Sequence, residues 1–538
     1  MAGEGARPTK EMASASNLRL RRSAAQLHAL AGVQREIRAN DQSPRRKYLR
    51  EFNRHFRRYE KVLSLGQLRT AIGDSDVVLI GDYHALPASQ RFAATLLEER
   101  AQPADRPVVL GVETIFARDQ HIIDEWWRRE IDEEEFRERV RFDLDWNYEW
   151  APFYELLVTA REHGEAIYGL DCMPREDLRR ISARDRHAAH KIAEIRKGHP
   201  GAVVMVLFGE SHLAPGHLPR ALRQELPNDQ VLTLLQNVDA LYWRAAGEQH
   251  ERVEAVQVKD NIICVFNSTP LEKYESYRLC FTRWNREAGE QPDVAPTIYN
   301  LIDGLLRFLN INRYASHNGT QPKFLVDLMP EVYCGNTDGR LRQLLLRAVG
   351  EDERVDNMLR KVEAQGSVYL PSINAFYLRD FQMAHVAEET ARFLHHACRG
   401  LPLRRNGHPV VPSDIGDRFY ARTYEHALAY FGSRVLYPAR LAVRLEANAD
   451  LSRATCEGLL QQALRGDRTK FECIVQRLGY TVGSELYDAY LRGAVSTPEL
   501  RELYLKHIEA PGAARAACLE IVRRTYGSRK KPCSSVRS

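Results

Sequence analysis

From Val77 onward the chain alternates short apolar runs with stretches of helical periodicity. The runs are VVLI (Val77 to Ile80), VVL (Val108 to Leu110), AIYGL (Ala166 to Leu170), VVMVLF (Val203 to Phe208), VLTLL (Val231 to Leu235) and IICVF (Ile262 to Phe266). Each is apolar on both faces that a strand presents, the condition of a parallel or mostly parallel sheet covered on both sides by helices. Helical spacing between the runs predicts helices over 89–101, 120–142, 152–163, 174–197 and 219–226. The pattern is that of an α/β domain with a mostly parallel sheet and flanking helices.

After about Thr269 the pattern becomes helical, with candidates at 295–310, 339–348, 351–364, 380–398, 415–434, 452–464, 484–491 and 498–507. The extended piece SVYLPSINAFYL interrupts them. Upstream, Ser43-Pro44 reads as a helix start, and Tyr48, Phe52, Phe56 and Tyr59 recur at helical spacing among arginines, an aromatic stripe expected to dock on the neighbouring domain. Residues 1–42 are polar and read as a disordered extension with a short helix from Leu18 to Asn40. The expected layout is therefore 1–42 extension, 43–270 α/β domain, 271–527 mainly helical region with room for two subdomains, and 528–538 disordered tail.

Bulk composition narrows the partners. The 77 basic and 72 acidic residues nearly balance, which gives no electrostatic footprint for nucleic acid. The segments 484–491 and 498–507 could mimic a helix-turn-helix, but PELRELYLKHIE is as acidic as it is basic. Nine cysteines stand as singletons from Cys172 to Cys533 with no C-x-x-C pair, a pattern suited to a reducing compartment. The N-terminus has no apolar core of signal-peptide length and no window reaches a membrane span, so the sequence reads as cytoplasmic. A homo-oligomer is compatible with it.

The strand ends carry the candidate chemistry. In an open parallel sheet, ligands bind in the crevice outside the carboxyl ends of the strands. The first run ends in Gly81-Asp82-Tyr83-His84, the second reaches Glu113, the third Asp171, and the fourth Gly209-Glu210-Ser211-His212. Either histidine alone reads as a loop residue bonded to backbone. Together, two imidazoles and the Glu113 carboxylate make a ligand set suited to a divalent transition metal with an open position. Asp82 and Glu210, each one residue after a motif glycine, are candidate orienters of the histidines or additional acids. In the helix after Pro174, Asp185 falls inside the apolar stripe and Arg184 at its edge, so a partly buried Arg184–Asp185 pair is expected. By the same periodicity His190 is solvated and His187 intermediate. No G-x-S-x-G elbow is present, which disfavours a serine hydrolase.

The ordered set GDYH, GVETIFARDQ, WNYEWAPFYELLVTAREHG, GLDCMPRED, SARDRHAAHKI and FGESHLAPGHLP resembles the ChaN-like domain of the haem-binding uptake/Tiki superfamily. More distantly it is similar to erythromycin esterases and TraB/Tiki proteins. The resemblance spans about residues 60 to 270, and its hallmark positions map onto His84, Glu113, Arg184 and His212. It implies a site at the strand ends that binds haem or iron. The alternative it implies is metal-dependent hydrolysis of a small-molecule or peptide substrate. Tyr83, Asp82, Asp171 and Glu210 are then candidate cofactor-binding residues.

Overall fold

The computed structural model describes residues 10–41, 47–102, 105–172, 181–249, 252–285, 293–312, 325–335, 338–349, 352–399, 404–405, 408–409, 414–443, 445 and 451–529. The chain divides into two compact units, residues 34–285 and residues 1–33 with 286–538. The α/β unit thus reaches beyond 43–270 at both ends.

The chain begins with α1 (Lys10–Asn40), α2 (Lys47–His55), β1 (Lys61–Leu63) and α3 (Leu65–Gly73). The alternating body follows as β2 (Val77–Asp82), α4 (Pro87–Ala101), β3 (Val108–Phe116), α5 (Gln120–Trp127), α6 (Glu133–Arg139), α7 (Phe142–Asp145), α8 (Trp150–His163), β4 (Ala166–Asp171), α9 (Ile181–Gly198), β5 (Val203–Gly209), α10 (Leu218–Glu225), β6 (Val231–Gln236) and α11 (Asp239–Glu248). β7 (Ala255–Lys259), β8 (Ile262–Val265) and α12 (Pro270–Trp284) complete the unit.

Eight strands form one sheet in the order β1-β7-β8-β6-β2-β5-β3-β4. The six apolar runs are the six strands from β8 to β4, all mutually parallel. β7 pairs antiparallel with β8, and β1 with β7. β1 is short and mostly exposed, and β7 is broken by Gln257 and ends on exposed Lys259, so neither carries a continuous apolar run and the pattern did not reveal them.

Alternation along each strand builds two cores. Val78, Ile80, Leu110, Val112 and Met205 pack with α3, α4 and α8 on one face. Val77, Leu79, Val109, Val204 and Phe208 pack with α2, α9, α10 and α11 on the other. Phe52 and Phe56 of the aromatic stripe are buried in this second core, the docking that their spacing predicts. β2 and β5 are neighbours, yet the helices that follow them, α4 and α10, lie on opposite faces. That divergence opens a crevice at the carboxyl ends of these two strands.

Several elements differ from their sequence reading. The helix expected over 120–142 is three short ones, because Arg129 and Arg141 take positive φ (62° and 56°) and Asp132 caps a new start at α6. The helix expected from Pro174 begins at Ile181 among the described residues; 173–180, like Ser43-Pro44, lie outside them. Residues 10–40 are one 31-residue helix instead of a disordered extension. Its buried positions include Ala25, Ala29, Val33 and Ile37, one every four residues, and a stripe made partly of alanine reads as polar in a hydrophobicity pattern.

In the second unit the described elements after α1 are α13 (Ala295–Phe308), β9 (Glu331–Cys334), α14 (Asp338–Val349), α15 (Asp352–Gln365), β10 (Ser367–Leu370), β11 (Ala375–Leu378) and α16 (Met383–Ala397). β12 (Arg404–Arg405), β13 (His408–Pro409), α17 (Ile415–Leu436), α18 (Arg453–Leu464), α19 (Arg468–Leu491), α20 (Thr497–Leu505) and α21 (Ala513–Arg529) follow. SVYLPSINAFYL is the hairpin β10–β11. The helix expected at 484–491 is the end of α19, whose Gly479 and Gly483 let its backbone approach α17 closely: a Cβ at Gly479 would lie 2.4 Å from the Cβ of His426. Interior glycines weaken a helical reading even where close packing requires them. Among the described residues, no helix is long and apolar enough to cross a membrane.

Candidate functional site

The two G-x-x-H elements reach neighbouring strand ends, one residue out of register. Asp82 pairs with Gly209, and Gly81 with Phe208. The glycine of the second motif therefore sits beside the carboxylate of the first, and the site is built around it. A Cβ at Gly209 would lie 2.9 Å from Glu113 Oε2, 3.4 Å from His84 Nε2 and 3.5 Å from the ring of His212. Only a residue without a side chain leaves those three groups room to converge.

Each histidine is oriented from behind by a buried aspartate. His84 Nδ1 donates to Asp82 Oδ2 at 2.6 Å, and Asp82 Oδ1 accepts from Gln90 Nε2 at 2.5 Å. His212 Nδ1 donates to Asp185 Oδ1 at 2.6 Å. Since a carboxylate accepts, Nδ1 carries the proton in both rings and Nε2 is left to face forward. The two Nε2 atoms stand 3.6 Å and 3.8 Å from the two oxygens of Glu113. Burial raises the Asp82 carboxyl, against the opposing pull of His84.

Glu113 is held by a third set of contacts. Its Oε1 accepts from Arg184 Nη2 at 2.6 Å and its Oε2 from the Gly209 N–H at 2.5 Å. Arg184 also grips Asp171 through Nε and Nη2, both at 2.9 Å. Burial alone would raise the Glu113 carboxyl, but Arg184, His84, His212 and the Gly209 N–H outweigh it and hold it at about 2. Glu113 is thus an anion at any ordinary pH.

The expected Arg184–Asp185 pair does not form. Both side chains are buried, but consecutive residues on a helix point about 100° apart. Arg184 serves Glu113 and Asp171, while Asp185 serves His212 and, at 3.2 Å, His217. His190 is solvated and His187 intermediate, as periodicity predicts. Asp82 orients His84, but Glu210 does not orient His212: its carboxylate faces away, to Lys273 Nζ at 2.9 and 3.0 Å. Tyr83 turns the same way, with Lys273 Nζ 4.5 Å from its ring centre.

Four contributors escaped the sequence reading: Gln90, Lys273, and the pair His217 and Glu51. His217 Nε2 lies 3.3 Å from Glu51 Oε2, so a hydrogen-bonded chain runs from His212 through Asp185 and His217 to Glu51 on α2. His217 lies in the quoted motif segment GHLP; Glu51 and Lys273 lie on helices with no motif of their own. The outer edge of His84 is bordered by the rings of Trp146 at 5.2 Å and Tyr148 at 5.3 Å.

The expected metal ligand set does not assemble as one. Among the described residues, no group of three or more His, Cys, Asp and Glu is placed to hold a metal ion. The reason lies in the donor chemistry: both Glu113 oxygens already accept hydrogen bonds, one from a guanidinium whose charge opposes a dication. Haem ligation fits these residues no better. Both Nε2 atoms face the buried Glu113, and burial pushes the Tyr83 phenol well up, away from the phenolate that binds iron.

A doubly wound, mostly parallel sheet with a His–Glu–His crevice at its central strand ends defines the class. Residues 68–184 match the family described as haem-binding uptake, Tiki superfamily, ChaN, and the α/β unit carries a ChaN-like domain. The match includes His84, Glu113, Asp171 and Arg184, while His212 lies beyond it. Among solved structures, the chain is similar to one titled cofacial heme binding to ChaN of Campylobacter jejuni, at 13% identity and TM-score 0.26, covering 33% of this chain and 87% of that one. It is also similar to the type III effector HopBA1, at 16% identity and TM-score 0.28, covering 37% of this chain and 90% of that one. The search of curated proteins found no match.

Proposed function

We propose that the α/β unit is a hydrolase that works by metal-independent acid–base chemistry. The supporting observation is that two histidines, each backed by a buried aspartate at 2.6 Å, turn their Nε2 atoms toward one anionic glutamate. The gaps of 3.6 and 3.8 Å are longer than direct hydrogen bonds, and the crevice beside them is where the attacking water would enter. A carboxyl at about 2 is too weak a base to activate that water, and histidine is matched to the task near neutrality. Glu113 instead stabilises the imidazolium that forms.

His84, at the more exposed side, takes the proton as water oxygen attacks an acyl carbon. His212, in its imidazolium form, gives its Nε2 proton to the leaving oxygen of an ester, or the leaving nitrogen of a peptide, as its bond to the acyl carbon breaks. Asp185, held in turn by His217 and Glu51, supports this division by stabilising the His212 imidazolium through Nδ1, and the proton taken by His84 returns to His212 Nε2 through solvent in the crevice to close the cycle. Small esters or peptides are the substrate class. The free thiols of the eight described cysteines support a cytoplasmic setting.

Turnover of p-nitrophenyl esters of graded acyl length, with and without EDTA, tests this reading. Activity is expected to survive EDTA and to fall about 10²–10⁴-fold in a His84→Gln/His212→Gln variant whose circular dichroism is unchanged. Loss of activity in EDTA would overturn the metal-independent mechanism. Gly209→Ala should lose activity to a similar degree with little loss of fold, since its methyl enters the space where the three groups meet. Wild-type activity in that variant would show that the convergence is not used.

The family match favours haem or iron binding as a second reading. Visible-absorption titration with haemin distinguishes it. A saturable Soret shift that disappears in the double histidine variant would support haem binding over hydrolysis.

A further inference from the structure

We infer that Lys273 is a positioning residue that holds both G-x-x-H loops in place, each by a different contact. Its ammonium forms an ion pair with both oxygens of Glu210, two residues before His212. The same ammonium covers the ring of Tyr83, the residue before His84, at 4.5 Å. One buried cation thus touches both loops beside the two histidines, and touches neither histidine.

The lysine itself is fixed by a chain of short-range structure. Thr269 caps α12 by accepting from the Glu272 N–H, which places Lys273 in the first helical turn. Just before the cap, the Ser268 N–H donates to Asn237 Oδ1, and Asn267 Nδ2 donates to Gln236 Oε1. Gln236 Nε2 in turn donates to the Gly81 carbonyl at 2.9 Å, at the end of β2. Lys273 is therefore registered against the strand that delivers His84.

The side chains of Lys273 and Glu210 are 7% and 12% exposed. Taking such a pair out of water is costly, and an apolar pair would hold two loops together as well or better. What a cation adds is direction: it attracts a carboxylate along one line and an aromatic face along another. Lys273 lies beyond residues 68–184, so this support comes from outside the family match.

The inference rests on the reading of His84 and His212 as the proton-transfer pair, and its test needs no turnover. Hydrogen bonds of 2.6 Å from imidazole Nδ1–H to carboxylate shift the proton resonance far downfield. One-dimensional proton spectra of the full chain should show two such signals, assigned by their loss in His84→Gln and His212→Gln. In Lys273→Met both signals should broaden or vanish while circular dichroism is retained, and Lys273→Arg should restore them. Arg106→Met, which removes an ion pair with Asp76 before the start of β2, controls for general destabilisation and should leave both signals intact. If Lys273→Met does not fold, the contacts are broken singly: Tyr83→Leu should displace only the His84 signal, and Glu210→Gln only that of His212. Two unchanged signals in folded Lys273→Met would overturn the inference, as would unchanged signals in both single-contact variants. Hydrolysis could be absent with this result intact, or present with it refuted, so the two readings fail separately.

Discussion

Replacing Arg184 with methionine is expected to destabilise the α/β unit by about 3–5 kcal/mol at neutral pH, the scale for removing one partner from a buried ionic cluster. Arg184 is the cation that the Glu113 and Asp171 carboxylates share, and both carboxylates are almost wholly buried. Lysine should not rescue it, because one ammonium cannot supply the separate Nε and Nη2 bonds. The pH dependence identifies the cause. In the wild type the Glu113 carboxyl is depressed to about 2, so it contributes stability above its unfolded value of about 4.3, and this is lost as pH falls toward 2. Without Arg184 the main cation opposing desolvation is gone and the carboxyl rises. The difference between variant and wild type should therefore shrink on acidification from pH 7 to 4. All six tryptophans lie between residues 126 and 284, so urea unfolding followed by tryptophan fluorescence reports on this unit. A loss under 1 kcal/mol, or one independent of pH, would mean that the cluster is not held as described.

The sequence made the sheet legible because strands buried on both faces are apolar without interruption, and every such run became a parallel strand. It made the strand-end residues legible because a parallel sheet sends each carboxyl end to the same rim. What it could not reveal was pairing across the rim. Arg184 and Asp185 look like partners in a one-dimensional pattern, yet the helix turns them toward different carboxyl and imidazole groups. Asp82 and Glu210 look equivalent after their glycines, yet the one-residue offset between β2 and β5 sends one to a histidine and the other to Lys273. That offset is set by strand register, which no local motif encodes. The long first helix was hidden for a different reason: alanines bury well but contribute little to an apolar signal.

The helical unit is expected to be acid-labile in a window set by histidine. His395 on α16 is fully buried, and among the described residues neither of its ring nitrogens has a hydrogen-bond partner. Burial pushes its pKa well down, and Arg399 and His396 push in the same direction while Glu425 opposes them. His426 on α17 is also pushed well down by burial, with Arg392 3.4 Å from its Nδ1. A depressed histidine binds fewer protons folded than unfolded. Above the unfolded value of about 6.5 both states are neutral and nothing is lost; below it the unfolded chain takes up the proton and stability falls. The slope approaches about 1.4 kcal/mol per pH unit for each histidine that stays neutral in the fold. The buried carboxylates Glu388 and Glu425, where Arg392 and other cations outweigh desolvation, are depressed too, but their stabilisation is lost only below about pH 4.5. The histidine loss should therefore precede it, visible as a fall in helical circular dichroism between pH 6.5 and 5 in mild urea while tryptophan fluorescence is still native. His395→Leu separates the contributions. Replacing an unbonded buried imidazole with an apolar group should leave stability at pH 7 unchanged or raised, and should reduce the acid slope by one proton. An unchanged slope would show that His395 already exchanges its proton freely in the folded state.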